Sequence, residues 1–179
     1  MERQRRRTRP AGRPPRLNKP DVTVAAVVEN GGRFLLVEEL ISGRLVLNQP
    51  AGHVEHGETL LAAIVREVRE ETAWRFEPQW LLGLYQWHDP HSGRTFLRFA
   101  FGGAVRDHGA GQPLDDGIVA THWLSAAELR PQHDRMRTPL VMRCVEDYLA
   151  GQRTGLNAVA ALDRDAALAF SRTVPVRSL

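Results

Sequence analysis

Three glutamates in one short segment have the spacing that brings carboxylates together on a helix. Within residues 50–74 (PAGHVEHGETLLAAIVREVREETAW), Glu67, Glu70 and Glu71 stand at i, i+3 and i+4, so their Cβ atoms would lie about 5–6 Å apart. Two carboxylates at that separation repel by roughly 3 kcal/mol at an effective dielectric constant near 20. Clustered carboxylate oxygens are ligands that Mg²⁺ or Mn²⁺ prefers, so the spacing predicts a divalent-cation site.

Two neighbouring features support this prediction. Arg66 is placed to pair with Glu70 one helical turn away and to hold a carboxylate in orientation. Upstream, Pro50-Ala51-Gly52 predicts a turn whose glycine lets the backbone approach a ligand closely. Taken alone, the REVREE run has a simpler interpretation, a salt-bridged helix face that binds nothing.

The wider spacing resembles the Nudix box, which reads Gly, five residues, Glu, seven residues, then Arg-Glu-aliphatic-any-Glu-Glu-any-Gly-aliphatic. The matching residues are Gly52, Glu58, Arg66, Glu67, Val68, Glu70, Glu71 and, in the last aliphatic position, Trp74. Ala73 stands where the family has glycine, at the residue expected to leave the helix in a left-handed conformation. That conformation costs alanine around 1 kcal/mol, but the departure removes no metal ligand.

The resemblance covers residues 21–150 and implies both a fold and an activity. The fold would be an α+β arrangement, an α/β/α sandwich in which a mixed β-sheet is flanked by helices. The activity would be hydrolysis of diphosphate bonds with Mg²⁺, for which Mn²⁺ could substitute. Glu67, Glu70 and Glu71 would be the metal ligands, with the Gly52 carbonyl as a candidate fourth ligand.

The resemblance also implies supporting roles in catalysis. Glu58 would support the loop and the helix, and Arg66 would orient Glu67 or Glu70. The general base stays open between Glu70 and a carboxylate of a later acidic loop, Asp115 or Asp116.

Several stretches outside the box resemble the NudJ-type phosphatase branch of the family, namely residues 22–25, 37–39, 48–53, 86–87, 96–99 and 151–153. This similarity implies small pyrophosphate substrates: nucleoside di- and triphosphates, thiamine diphosphate or its pyrimidine diphosphate precursor. Orthophosphate would be released. The candidate substrate-binding residues are Asn48, Gln49, His53 and Arg98. Trp87 could stack on a ring of the substrate or belong to the core.

Local patterns predict the elements that position these residues. The predicted strands span 22–28, 33–37, 81–87, 95–101 and 118–123, with Asn30-Gly31-Gly32 as a hairpin turn between the first two. The predicted helices span 59–72, a short segment capped by Ser125, and 139–150, which Gly151 ends. Strands and helices mixed in this order predict an α+β layer structure.

Length and composition favour one folded domain. The chain has 179 residues, 42% hydrophobic and 25% charged, which is enough for one core. The sequence contains no run of 18 apolar residues, so it predicts no transmembrane helix, and no signal peptide is visible. No membrane partner is therefore expected. Cys144 is the single cysteine and cannot form an internal disulfide, which predicts a reducing, cytoplasmic location.

Positive charge is concentrated at the N-terminus. Residues 1–20 hold eight Lys or Arg and one acid, a formal charge of +7, so the net charge of +3 leaves −4 for residues 21–179. We expect a solvated basic tail over 1–20, the Nudix domain over 21–150 and a C-terminal extension over 151–179. The protein is expected to be a monomer or a homodimer.

Three functions follow from these patterns. The expected one is a metal-dependent phosphohydrolase acting on small pyrophosphates. A second is a non-catalytic nucleotide-sensing module, although such modules typically lose box carboxylates and this sequence keeps them all. A third is the same hydrolytic reaction on a different substrate, either another nucleotide pyrophosphate or an RNA 5′ end. In the RNA case, the arginine-rich tail would contact the RNA.

Overall fold

The computed structural model describes residues 19–161, in which seven strands and three α-helices are present. The strands are β1 (Asp21–Asn30), β2 (Arg33–Ile41), β3 (Arg44–Asn48), β4 (Ala51–His53), β5 (Arg75–His88), β6 (Thr95–Arg106) and β7 (Ile118–Ser125). The helices are α1 (Leu60–Thr72), α2 (Ala126–Leu129) and α3 (Leu140–Leu149), with 3₁₀ turns at Arg130–Arg135 and Leu156–Ala158. Among these residues, no helix has the length and apolar character needed to cross a membrane. The predicted basic tail lies outside the described residues except for its last two positions.

The strands form one mixed sheet in the order β3-β2-β1-β6-β5, with β4 paired to β1 and β7 paired to β2. β1 and β6 run parallel from the pair Asp21 and Phe96 to the pair Val28 and Gly103. The other pairs are antiparallel. This arrangement confirms the predicted mixed sheet.

Alternation along β1 explains why helices cover both faces of the sheet. Val24, Ala26 and Val28 pack on the side of α1, and Val27 packs on the side of α3. Successive side chains of a strand point to opposite faces, so a continuous apolar run needs cover on both sides. Each fully buried side chain of this kind contributes roughly 1.5–3 kcal/mol. The α/β/α sandwich is therefore confirmed.

The two ends of α1 follow the local sequence. Thr59 caps the N-terminus, and its side chain accepts a hydrogen bond of 3.1 Å from the Ala62 N–H. Ala73 ends the helix with φ 58°, in the left-handed region, and its N–H donates to the Arg69 carbonyl at 3.0 Å. The exit therefore keeps the expected conformation although alanine replaces glycine. The Arg69 guanidinium donates to the Ala73 carbonyl at 2.8 Å and fixes the turn.

The predicted turns and caps outside α1 are also present. Gly31 and Gly32 have φ of 59° and 80° and join β1 to β2 as a two-residue hairpin, which requires positive φ at both positions. Ser125 and Glu128 form the predicted capping box of α2. Gly151, with φ 79°, follows α3.

The prediction of a turn at Pro50-Ala51-Gly52 was wrong, because Ala51–His53 forms strand β4. Its partner is the start of β1, with Thr23 opposite His53 and Ala25 opposite Ala51. Three residues beside a proline carry no strand pattern of their own, so β4 depends on pairing with residues 26 to 30 positions earlier.

The described fold continues past α3. Leu81 and Thr154 exchange two backbone hydrogen bonds, of 2.8 and 2.9 Å. Leu156 and Val159 then pack against the core on the α1 side of the sheet. The first part of the C-terminal extension is thereby attached to β5.

Candidate active site

A cavity of about 560 Å³ opens where β4, the middle of α1 and the start of β6 meet. It collects most of the residues that the sequence predicts for the site, namely Asn48, Gly52, His53, Arg66, Glu67, Glu70, Glu71, Arg98 and Asp115. Three predicted residues lie elsewhere. Gln49 is buried and donates to the Val141 carbonyl at 2.8 Å. Glu58 contacts the site through Arg66 and through the N–H of Glu55, and Asp116 lines a neighbouring depression.

Glu67, Glu70 and Asp115 form the acidic centre of this cavity. Each offers a carboxylate oxygen, and the three oxygens lie within 4.8 Å of one another. Asp115 reaches α1 because its backbone N–H donates to the Glu70 carbonyl at 3.0 Å. Carboxylates this close repel one another, and a set of hard oxygen donors fits Mg²⁺ or Mn²⁺. The residues present therefore fit a divalent cation.

Glu71 differs from the other two glutamates of α1. Its Oε2 accepts a hydrogen bond of 2.8 Å from the Ala51 N–H, which ties α1 to β4. Burial, together with the nearby carboxylates of Glu39 and Glu67, raises the pKa of Glu71 to about 8, although the hydrogen bond from the Ala51 N–H opposes the shift. Glu71 lines the cavity, but the three converging carboxylates include Asp115 in its place.

Arg66 uses all five of its N–H groups on this cluster. It donates to both Glu58 oxygens at 2.9 and 3.0 Å, to Glu67 at 2.8 Å, to Glu70 at 2.9 Å and to the His53 carbonyl at 3.1 Å. The hydrogen bonds from Arg66 lower the pKa of Glu58, whereas burial raises the pKa of Glu67 despite the same guanidinium. The predicted pair with Glu70 is present, and Arg66 also orients Glu67.

Gly52 is required by the packing of Glu67. A Cβ placed on Gly52 would overlap the Glu67 carboxylate. The sequence predicts a glycine that allows close approach of a ligand, and the group that approaches Gly52 is this carboxylate.

We expect Gly52→Ala to displace Glu67 and to lower kcat about 10- to 100-fold, the usual cost of a misplaced catalytic group. Gly155→Ala is a matched control outside the cavity, because Gly155 has φ −59° and an added Cβ would meet only the end of the exposed Asn157 side chain. Activity and circular dichroism of both variants check this prediction, and unchanged activity of Gly52→Ala would show that the position of Glu67 does not matter.

The raised pKa of Glu71 predicts how pH affects the cation-free protein. A carboxyl whose pKa is about 8 in the native state and has its ordinary value of 4.5 in the unfolded chain keeps its proton in the native state at pH values where the unfolded chain has lost it. The free energy of unfolding therefore falls as pH rises between these values, by up to about 1.4 kcal/mol per pH unit. A bound cation opposes this loss. We expect the increase in Tm caused by Mg²⁺ to be larger at about pH 8 than at about pH 6, and Glu71→Gln to flatten the pH dependence measured in EDTA.

Some residues of the cavity carry no sequence signal. Thr23 lies at the start of β1, and Thr138 lies just before α3. Behind Glu71, Arg137 forms an ion pair with the buried Glu39. Only the fold brings these residues to the carboxylates, since they come from segments far apart in the sequence.

Comparison with known proteins agrees with this geometry. The NUDIX domain family model matches residues 19–143. Phosphatase NudJ of Escherichia coli strain K12 is 43% identical over 141 residues, 79% of this chain and 91% of that protein. A NUDIX hydrolase structure from Nitrosomonas europaea has 48% identity and a TM-score of 0.80, and the match covers 82% of this chain and 99% of that chain. The MutT protein of Methanosarcina mazei Go1, at 22% identity and a TM-score of 0.60 over 76% of this chain and 99% of its own, shares the fold.

These matches confirm the family that the box predicts and the similarity to the NudJ-type branch. The chain belongs to the Nudix family of hydrolases.

Proposed function

We propose that the protein hydrolyses small organic pyrophosphates in a Mg²⁺-dependent reaction and releases orthophosphate. The observation that carries this proposal is the convergence of Glu67, Glu70 and Asp115 in a cavity whose other walls hold Arg98 and Trp87. Nucleoside di- and triphosphates, thiamine diphosphate and its pyrimidine diphosphate precursor are the proposed substrates. The similarity to phosphatase NudJ supports this choice.

The carboxylates would hold the metal, and Arg66 would keep them in place. Glu67, Glu70 and Asp115 are the proposed ligands, with Glu71 and the Gly52 carbonyl beside them. When bound, Mg²⁺ neutralises phosphate oxygens and lowers the pKa of a water molecule. Most of the remaining rate enhancement would come from positioning of the phosphate groups.

Asp115 is our proposed general base. Glu70 is half-exposed, and one of its oxygens already accepts a hydrogen bond of 2.9 Å from Arg66, which leaves it fewer free lone pairs. Within residues 19–161, no hydrogen bond reaches the carboxylate of Asp115, which lies exposed at the mouth of the cavity. When one Asp115 oxygen holds the cation, the second oxygen therefore has lone pairs with which to accept a proton from water.

Phosphate release from a substrate panel tests the proposal. The panel contains nucleoside di- and triphosphates, thiamine diphosphate, ADP-ribose, diadenosine polyphosphates and a 5′-triphosphorylated RNA, each with Mg²⁺, with Mn²⁺ and with EDTA. Orthophosphate from the small substrates, abolished by EDTA, is the expected result. Release of pyrophosphate or nucleoside monophosphate in place of orthophosphate would contradict the proposal that the bond to the terminal phosphate is cleaved. No release from any substrate would favour the sensing module.

A further inference from the structure

A buried arginine without an acidic partner lies in the wall of the cavity. Arg98 is only 7% exposed. Within residues 19–161, no carboxylate oxygen lies within 4.0 Å of its guanidinium. Nη1 makes one long hydrogen bond, 3.4 Å, to Gln49 Oε1, and Nε has no partner in this part of the chain. A buried, unpaired charge is costly, and an anionic ligand in the cavity would offset that cost.

Three further buried polar atoms of the same cavity have no hydrogen-bond partner in the described chain. They are Thr23 Oγ1, Asn48 Oδ1 and Thr138 Oγ1. Thr23 is the register partner of Arg98 in the parallel pair of β1 and β6. The two threonine hydroxyls and the guanidinium can together donate several hydrogen bonds to the oxygens of one anion, whereas Asn48 Oδ1 can only accept.

The nearby acids already have other partners. Glu39 forms an ion pair with Arg137, and Glu71 accepts from the Ala51 N–H. Burial lowers the pKa of the Arg98 guanidinium, and the charges of Glu39 and Glu71 oppose this only from a distance. The positive charge of Arg98 is therefore available to a ligand in the cavity.

An apolar cavity of about 950 Å³ adjoins the aromatic end of the site. Trp87 and Phe96 line both cavities, and Met136 and Met142 contribute further apolar surface to the second one. Phe96 precedes Arg98 by two residues on β6, so both side chains lie on the same face of the strand. An organic group bound in the second cavity would therefore have Arg98 beside it.

The register of the sheet places these groups in a row that ends at the carboxylates. Trp87 on β5 pairs with Phe96 on β6, Arg98 on β6 pairs with Thr23 on β1, and Thr23 pairs with His53 on β4. Four adjacent strands span three inter-strand spacings, about 14 Å. On β4, the residue next to His53 is Gly52, against which the Glu67 carboxylate packs.

We propose that Arg98, with the hydroxyls of Thr23 and Thr138, binds the inner phosphate of an organic diphosphate, so that the terminal phosphate lies at the carboxylate cluster. This inference deepens the proposed function and rests on it for the identity of the phosphate that is attacked. Binding of the anion by Arg98 does not depend on hydrolysis.

The placement determines which bond breaks. A water oxygen bonds to the terminal phosphorus, and the bond from that phosphorus to the bridging oxygen breaks. The electron pair stays on the bridging oxygen, which remains part of the inner phosphate beside the Arg98 charge. One proton of the water is lost to the base, the other stays on the orthophosphate, and the second product is the organic monophosphate.

Calorimetric titration in EDTA separates this inference from the proposed function. The probes are adenosine 5′-(α,β-methylene)diphosphate, which cannot be hydrolysed at its bridge, and inorganic phosphate. We expect Arg98→Met to raise the Kd of the methylene probe at least about tenfold, because a hydrogen bond to a charged group is lost. Arg106→Met is the control on the same strand, since Arg106 is exposed and paired with Glu77, and its Kd should equal that of the wild type.

The thermal stability of the free protein gives a second readout. A structural arginine would lower Tm when replaced, whereas Arg98→Met should keep or raise Tm because it removes an unpaired buried charge. Thr23→Val is a second variant in case Arg98→Met does not fold. It should raise the Kd of the methylene probe and leave Tm unchanged. Wild-type affinity in the folded variant, or a Tm loss without weakened binding, overturns the inference.

Isotope labelling tests the order of the phosphates. With wild-type enzyme and ADP in H₂¹⁸O, the label should appear in orthophosphate, and label in AMP would overturn the placement. If no diphosphate is hydrolysed, the proposed function fails, while the calorimetric comparison still decides whether Arg98 binds the anion.

Discussion

Glu70→Gln should lower kcat for orthophosphate release about a thousandfold, at the upper end of the 10²–10³ that one preorganised polar group contributes. Glutamine keeps the size of the side chain but loses the charge that would hold the cation. Because Glu70 is half-exposed, the substitution should leave Tm in EDTA nearly unchanged. Steady-state kinetics and a thermal melt of the same preparation measure both effects.

Glu146→Gln is the matched control, since Glu146 is exposed on α3 and lies outside the cavity. Its kcat should equal that of the wild type. Near-normal turnover of Glu70→Gln under saturating Mg²⁺ would remove Glu70 from the proposed metal ligands.

Arg66→Met should produce the largest loss of stability among the site variants. The guanidinium neutralises Glu58, Glu67 and Glu70 at distances of 2.8 to 3.0 Å, and removing one partner of a largely buried ion network costs about 3–5 kcal/mol. The loss should be greatest in EDTA and smaller with saturating Mg²⁺, because the cation replaces part of the missing positive charge. Urea unfolding with and without Mg²⁺ measures the difference.

Two further variants test the cause of that loss. Arg66→Lys keeps the charge but cannot make five hydrogen bonds, so its stability should lie between those of Arg66→Met and the wild type. Arg75→Met removes an exposed arginine 3.9 Å from Asp107 and should change stability by less than about 0.5 kcal/mol. Equal stability of Arg66→Met and Arg75→Met in EDTA would contradict the role assigned to Arg66.

Elements with a strong local pattern could be predicted from the sequence. The helical period of the apolar residues predicted α1, and Asn30-Gly31-Gly32 predicted the first hairpin. β3 was missed, although Ser42 and Gly43, both with positive φ, marked the turn before it. β4 was mistaken for a turn because only its pairing with β1 makes it a strand.

The same distinction applies to the site. Glu67 and Glu70 share a helix face, so their proximity follows from helical geometry. The Arg66 contact with Glu58 spans eight residues and depends on the path of the loop. Asp115 is 45 residues beyond Glu70 and was only one of several candidates for the general base, since no local rule shows that its backbone reaches the Glu70 carbonyl.

The parallel pairing of β1 with β6 has a consequence for how the protein acquires its ligand affinity during folding. Thr23 and Arg98 are 75 residues apart in the sequence and meet only when these strands pair. Closing a loop of that length costs about 4 kcal/mol of chain entropy, which makes such contacts slow to form. A fragment containing only residues 50–74 would therefore lack the arginine and Asp115. A phosphate ligand should protect amide hydrogens from exchange across the whole sheet, because it binds only the fully assembled chain.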